Sequence, residues 1–281
     1  MFVTVITTII TLITFAANSV LCRLALQNGA IDALNFTTIR LVSGAIVLML
    51  IVSIRRSVTN EHSRGSWRAG GMLFLYAITF SYAYNSLSTG TGALILFASV
   101  QLTMLIFSYL KGTRLSILEW CGVIVAFGGF VFLVLPDISS PSASGFLLMT
   151  IAGVAWGFYT LLGKHSRHPL HDTTYNFLRT LPFVVIAFAA TFMQTDITVE
   201  GMILATLSGS IASAGGYTVW YIALRGLNST QAAVIQLLVP VFAALGGIMF
   251  ANEVLTTRFI ISTLLILGGL MLVALEKKKL S

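Results

Sequence analysis

The sequence predicts an all-α integral membrane protein of ten transmembrane helices, arranged as two inverted five-helix repeats with both termini on the cytoplasmic side. Three observations lead there. Of the 281 residues 57% are hydrophobic and only 9% charged, and the mean hydropathy is +0.95, well outside the soluble globular range. Ten apolar stretches are each close to the ~20 residues that cross a bilayer at about 1.5 Å per residue. Lysine and arginine alternate between the links that join them, which sets the orientation of each stretch.

The stretches fall near 3–21, 34–54, 69–87, 92–110, 117–135, 145–162, 173–193, 202–222, 230–250 and 258–275. The first has no basic start and ends in Leu21-Cys22-Arg23 without a small-residue cleavage site, so it reads as a mature helix and not a signal peptide. The second and seventh each carry an arginine inside the span, Arg40 and Arg179. Trp67 and Trp120, near the starts of the third and fifth, sit where interfacial anchors are expected. The fifth and tenth contain the pairs Gly128-Gly129 and Gly268-Gly269, suited to close helix packing or to a homodimer contact. On the eighth, Ser208, Ala212 and Gly216 form one small-residue stripe and Ala205, Gly209 and Ser213 another.

Even-numbered links and the C-terminal tail hold Arg55, Arg56, Arg64, Arg68, Lys111, Arg114, Lys164, Arg167, Arg225, Lys277, Lys278 and Lys279, whereas the odd-numbered ones hold only Arg23 and Arg258. Cytoplasmic loops are the basic ones, so these links and both termini face the cytoplasm. The polar, Lys/Arg-free run Asp137 to Ser144 marks a seam, giving repeats 1–138 and 139–281. Sliding the halves by about 140 positions aligns Gly128-Gly129 with Gly268-Gly269, Leu115-Ser116 with Leu255-Thr256, and Ala83 to Leu87 with Ala223 to Leu227. Arg40 and Arg179 match one residue out of step. Five spans separate the copies, so they lie upside down relative to each other, an arrangement found in secondary transporters.

Ala155-Trp156-Gly157 with Lys164 beyond, Leu238-Val239-Pro240-Val241, Asn252-Glu253-Val254-Leu255 and Gly268-Gly269 resemble the drug/metabolite transporter superfamily in its ten-helix, EamA-type form. The resemblance covers nearly the whole chain and is stronger in the second repeat. In the first, Phe15 stands where Trp is usual, Val100 where Pro240 sits and Thr113 where Glu253 sits. It implies a central cavity lined by helices one, three, four, six, eight and nine, and a carrier of small metabolites in the bacterial inner membrane.

Polar residues at membrane depth are costly and mark cavities or helix contacts. They concentrate on those same helices, and the candidate substrate-binding residues are Asn18, Tyr82, Asn85, Gln101, Tyr159, Tyr217, Tyr221 and Gln236. Each also has a packing explanation, since interhelical hydrogen bonds contribute roughly 0.6–2 kcal/mol. Gln101 and Gln236 carry amides with four hydrogen-bonding positions to satisfy, and Tyr217 and Tyr221 are four apart on one helical face. Arg40 and Arg179 either snorkel and hold backbone carbonyls as structural or gating charges, or read a carboxylate or phosphate.

No Asp or Glu falls within a span; Glu119 and Glu253, at helix ends, are the candidates for ion coupling. His165, His168 and His171 form a His-x-x-His-x-x-His run that Pro169 interrupts, so it reads as a solvated loop with no metal site. Basic residues come one or two per loop, which excludes a nucleic-acid face. No nucleophile–base pair lies within the spans, so neither catalysis nor a cofactor is expected. The expected function is transport of a small organic metabolite, an amino acid or a related compound, by alternating access and in the export direction. Uptake or exchange of an organic anion or phosphorylated metabolite is the alternative, and a non-transporting membrane scaffold the alternative of another class.

Overall fold

The computed structural model describes residues 2–54, 64–110, 112, 116–134, 141–163, 166–191, 197–227 and 235–280. Ten helices run through them, with no strand among the described residues: α1 Phe2–Gln27, α2 Ala33–Ile54, α3 Trp67–Tyr84, α4 Thr89–Leu110, α5 Ile117–Val134, α6 Ala143–Gly163, α7 Pro169–Thr191, α8 Val199–Leu224, α9 Val239–Ala251 and α10 Thr257–Leu280. Five are long and apolar enough to cross a membrane by length and composition: α1, α2, α4, α6 and α8. Arg55, Arg56, Lys111, Arg114, Lys164, His165, Gln231 and the seam residues Asp137 to Ser140 lie outside the described residues, as do the side chains of Lys277, Lys278 and Lys279.

Boundaries moved where local chemistry allowed it. α1 continues through Asn18 because that amide is satisfied sideways, by Tyr76 and Ser208, and does not compete for its own backbone. α3 stops at Tyr84, short of the expected 87, and Asn85 caps it. α7 begins at Pro169, whose missing N–H is no loss in a first turn. α9 starts at Val239 with Pro240 likewise in its first turn. Asp32 caps α2 through the N–H groups of Leu34 and Asn35, and Thr198 caps α8 through that of Gly201.

The packing interlocks the two halves of the chain. α1 lies on α8 and α9, while its counterpart α6 lies on α3 and α4; α2 packs against α7 and α8, and α7 against α2 and α3. α5 and α10 pair with each other at the margin. These pairings map onto themselves when the halves are exchanged, as expected of two related repeats. Gly129 faces Ile266 on α10, and Gly269 faces the Gly122 carbonyl on α5. Gly128 and Gly268 point outward with nothing nearby. The second glycine of each pair is therefore used inside the chain, where it lets two backbones approach. Large apolar side chains such as Ile46, Leu50, Phe127, Val131, Phe250 and Leu264 are exposed on the outer surface, the reverse of a soluble core and suited to hydrocarbon.

Candidate functional site

Halfway along the helices, α1, α3, α4, α6 and α8 surround a narrow, nearly closed cavity with room for about one water, lined by Phe15, Asn18, Ser19, Tyr76, Phe80, Leu96, Phe97, Trp156 and Tyr217. Aromatic rings form its walls. Phe15 meets Trp156 edge-on at 5.7 Å and Tyr217 at 5.9 Å, and Trp156 lies 4.6 Å from Tyr217 and 4.9 Å from Tyr76. Such edge-to-face contacts stiffen a pocket beyond what area burial alone provides.

A polar cluster lies against this wall. Asn18 donates through Nδ2 to Tyr76 Oη at 3.3 Å and accepts from Ser208 Oγ at 2.6 Å. Arg40, only 1% exposed, donates from Nε to Ser213 Oγ at 2.9 Å and from Nη2 to Tyr217 Oη at 2.7 Å and Tyr76 Oη at 3.2 Å. Its guanidinium carbon lies 5.2 Å from the centre of the Tyr76 ring and 5.0 Å from that of Phe80.

The eighth helix is built to make these contacts. Between Ser208 and Gly215 it winds as a π-helix. Wider winding costs α-helical hydrogen-bond geometry and recurs at functional sites. Ser208, Gly209, Ala212 and Ser213 all lie on the buried side of this segment, so the two small-residue stripes form one face. Gly209 is required there: a Cβ would stand 2.1 Å from the Arg40 carbonyl oxygen. Regular α-helix resumes at Gly216 and presents Tyr217 and Tyr221 inward, one turn apart.

Not every expected residue joins the cavity. Tyr82 is 39% exposed and Asn85 is exposed at the end of α3, because the helix face that turns inward is the stripe Tyr76, Phe80, Tyr84. Neither lines the cavity. Gln101 and Gln236 are buried but do not line the cavity, to which α9 contributes no side chain. Tyr159 stacks on Trp156 at 5.2 Å and on Tyr221 at 6.1 Å, continuing the aromatic row toward Gly163 at the end of α6. Sequence reasoning missed Tyr76. Its four-residue spacing from Phe80 and Tyr84 was the available signal, an aromatic stripe on one helical face.

The two arginines that match in sequence have different surroundings. Arg179 is half-buried, donates to the carbonyls of Arg64 and Tyr175, and lies over the Trp67 ring at 5.6 Å. It secures the segment entering α3.

Polar contacts close both ends of the bundle. At one end Glu253 accepts from Thr89 N at 2.8 Å and Thr89 Oγ1 at 3.0 Å, and pairs with Arg23 at 3.4 Å; Arg23 also donates to the Tyr84 carbonyl at 2.9 Å. The carboxylate thus sits at the N-terminus of α4, where the helix dipole favours it. A wider recess of about 230 Å³ opens beside it. At the opposite end Asp172 and Asn176 on α7 accept from the Gly65 and Ser66 N–H groups at 2.9 Å and 3.0 Å. Glu119, also at that end, forms a capping box with Ser116: Ser116 N donates to its carboxylate at 2.7 Å and Glu119 N donates to Ser116 Oγ at 3.2 Å. Among the described residues no group of three or more His, Cys, Asp or Glu could hold a metal ion.

The model of the EamA-like transporter family matches residues 2–135 and again 143–275. An uncharacterized protein of Pseudomonas aeruginosa is 46% identical over 96% of this chain and 94% of its own length. A probable amino-acid metabolite efflux pump of Escherichia coli is 22% identical, with 71% of this chain and 75% of that protein covered. In a solved crystal structure the same fold recurs with a TM-score of 0.65 at 19% identity, covering 97% of this chain and 98% of that one.

Proposed function

Since the chain belongs to the EamA-like transporter family, we propose that it is a secondary transporter exporting a small organic metabolite, an amino acid or a related compound, across the bacterial inner membrane by alternating access. The observation that carries this reading is the aromatic cavity at mid-depth, built from both repeats and closed at each end by a few polar contacts. A solute held there would be released to one side or the other as one set of contacts opens. The interlocked packing favours moving units that mix the repeats, with α3, α4 and α6 shifting against α1, α8 and α9. Export and the substrate class draw on the printed name of the Escherichia coli relative. The basic links and tail support cytoplasmic termini.

The test compares the culture medium of cells expressing the wild-type chain with that of cells expressing Phe15→Ala/Trp156→Ala at equal abundance. A compound enriched only by the wild type names the substrate class and supports export through the cavity. Identical profiles would count against export and leave uptake, or a scaffold without flux, as the better account.

A further inference from the structure

We propose that the central cavity recognises its solute through one carboxylate, bound by the hydroxyls of Tyr76 and Tyr217 with Arg40 as the balancing charge, and that the remainder of the solute is apolar. This rests on the transporter reading above and names the substrate class of the same site.

The argument begins with what Arg40 lacks. Arg23, Arg179, Arg225 and Arg258 each donate to a backbone carbonyl, and Arg23 also pairs with Glu253. Arg40 alone among these is fully buried, and its three hydrogen bonds go only to the neutral hydroxyls of Ser213, Tyr76 and Tyr217. Its Nη1 meets no acceptor, and among the described residues no carboxylate lies within ion-pair distance of it. A guanidinium held at membrane depth without a counter-charge is strongly penalised unless something else supplies the charge.

Where that charge belongs follows from the neighbours. Tyr76, Phe80 and Tyr217 all line the cavity and all touch the guanidinium, so the positive charge lies one side chain behind the cavity wall. Tyr76 Oη already accepts from Arg40 Nη2 and Asn18 Nδ2, which leaves its own O–H to donate. Tyr217 Oη accepts from Arg40 at 2.7 Å, and its O–H reaches only Tyr76, at a long 3.4 Å. The Trp156 indole N–H, also in the wall, has no acceptor. Donors therefore outnumber acceptors around a small space, the complement of an anion. One unneutralised cation balances one negative charge, which favours a monocarboxylate over a phosphate dianion. The Asn18 amide is taken up by Tyr76 and Ser208, so beyond the hydroxyl of Ser19 the rest of the molecule meets the apolar surface of Phe15, Phe97 and Leu96.

The test uses the full chain in detergent, with phenylacetate as probe and its neutral isostere phenylacetamide as control, read by thermal midpoint and by tryptophan quenching. Phenylacetate is expected to stabilise the wild type saturably and to bind roughly tenfold or more tightly than the amide, as loss of a charge-assisted contact implies. Arg40→Gln should erase the acid–amide difference, and Tyr76→Phe/Tyr217→Phe should reduce it. The wild-type comparison needs no variant, so a poorly folding Arg40→Gln does not blunt it. Equal binding of acid and amide, no response to either, or a response to inorganic phosphate alone would overturn the proposal. Failure of the transporter reading looks different: an acid-dependent shift with an unchanged culture medium would remove transport and keep the carboxylate site, whereas flux of a neutral solute without acid preference would do the reverse.

Discussion

Arg40 on α2 and Tyr217 on α8, 177 positions apart in the chain, meet through a hydrogen bond of 2.7 Å inside the bundle. That contact joins the two repeats where a charge, an aromatic wall and a cavity coincide, and most of what the protein is expected to do can be tested from it.

Arg40→Met is expected to keep the thermal midpoint within a few degrees of the wild type, or to raise it, while abolishing solute response. A buried cation without a partner carries a desolvation cost of several kcal/mol, which its hydroxyl contacts offset only in part. Differential scanning of the purified variant checks this. A large fall in the midpoint would mean that Arg40 is held for stability.

Glu253→Gln should loosen the contact among Arg23, Thr89 and Glu253 by about 1–3 kcal/mol, because the amide keeps one acceptor and loses the charge. The readout is thiol labelling of Ser19→Cys in the cavity, in a Cys22→Ala/Cys121→Ala background, with reagent added from the Glu253 side. Labelling should accelerate roughly tenfold. An unchanged rate would show that this contact does not guard the cavity.

Among the paired glycines, Gly129→Ala and Gly269→Ala should each lower stability by about 1–3 kcal/mol, as a methyl group presses α5 and α10 apart. At Gly269 the added Cβ would lie 2.5 Å from the Gly122 carbonyl oxygen. Gly128→Ala and Gly268→Ala meet nothing within 4 Å and should be neutral or slightly stabilising. Melting curves of the four variants separate the two classes; equal losses at all four would contradict the α5–α10 packing.

Gly209→Ala should impair function more than its size suggests. The new Cβ would stand 2.1 Å from the Arg40 carbonyl and from Ser43 Oγ, forcing α8 off α2 and displacing Ser213 from Arg40 Nε. Gly71→Ala, with open space around it, is the matched control. A wild-type metabolite profile from the Gly209 variant would remove the π-helical segment from the mechanism.

The membrane class, the order of ten helices and the internal repeat were written in the sequence, because hydropathy, helix length and glycine or proline placement are local quantities that lipid reads one segment at a time. So was the presence of polar side chains at Asn18 and Tyr217 inside apolar spans. The different roles of Arg40 and Arg179 were not: both sit within apolar stretches at matching positions, and only the packing of α3 and α8 around one, against the Arg64 carbonyl at the other, separates a cavity charge from a structural one. Tyr82 was named from the sequence and Tyr76 was not, because composition does not say which face of α3 turns inward. The tertiary structure decided that. Which face is buried, where α8 widens and which donors converge depend on contacts between segments more than 100 residues apart, and no local pattern records them.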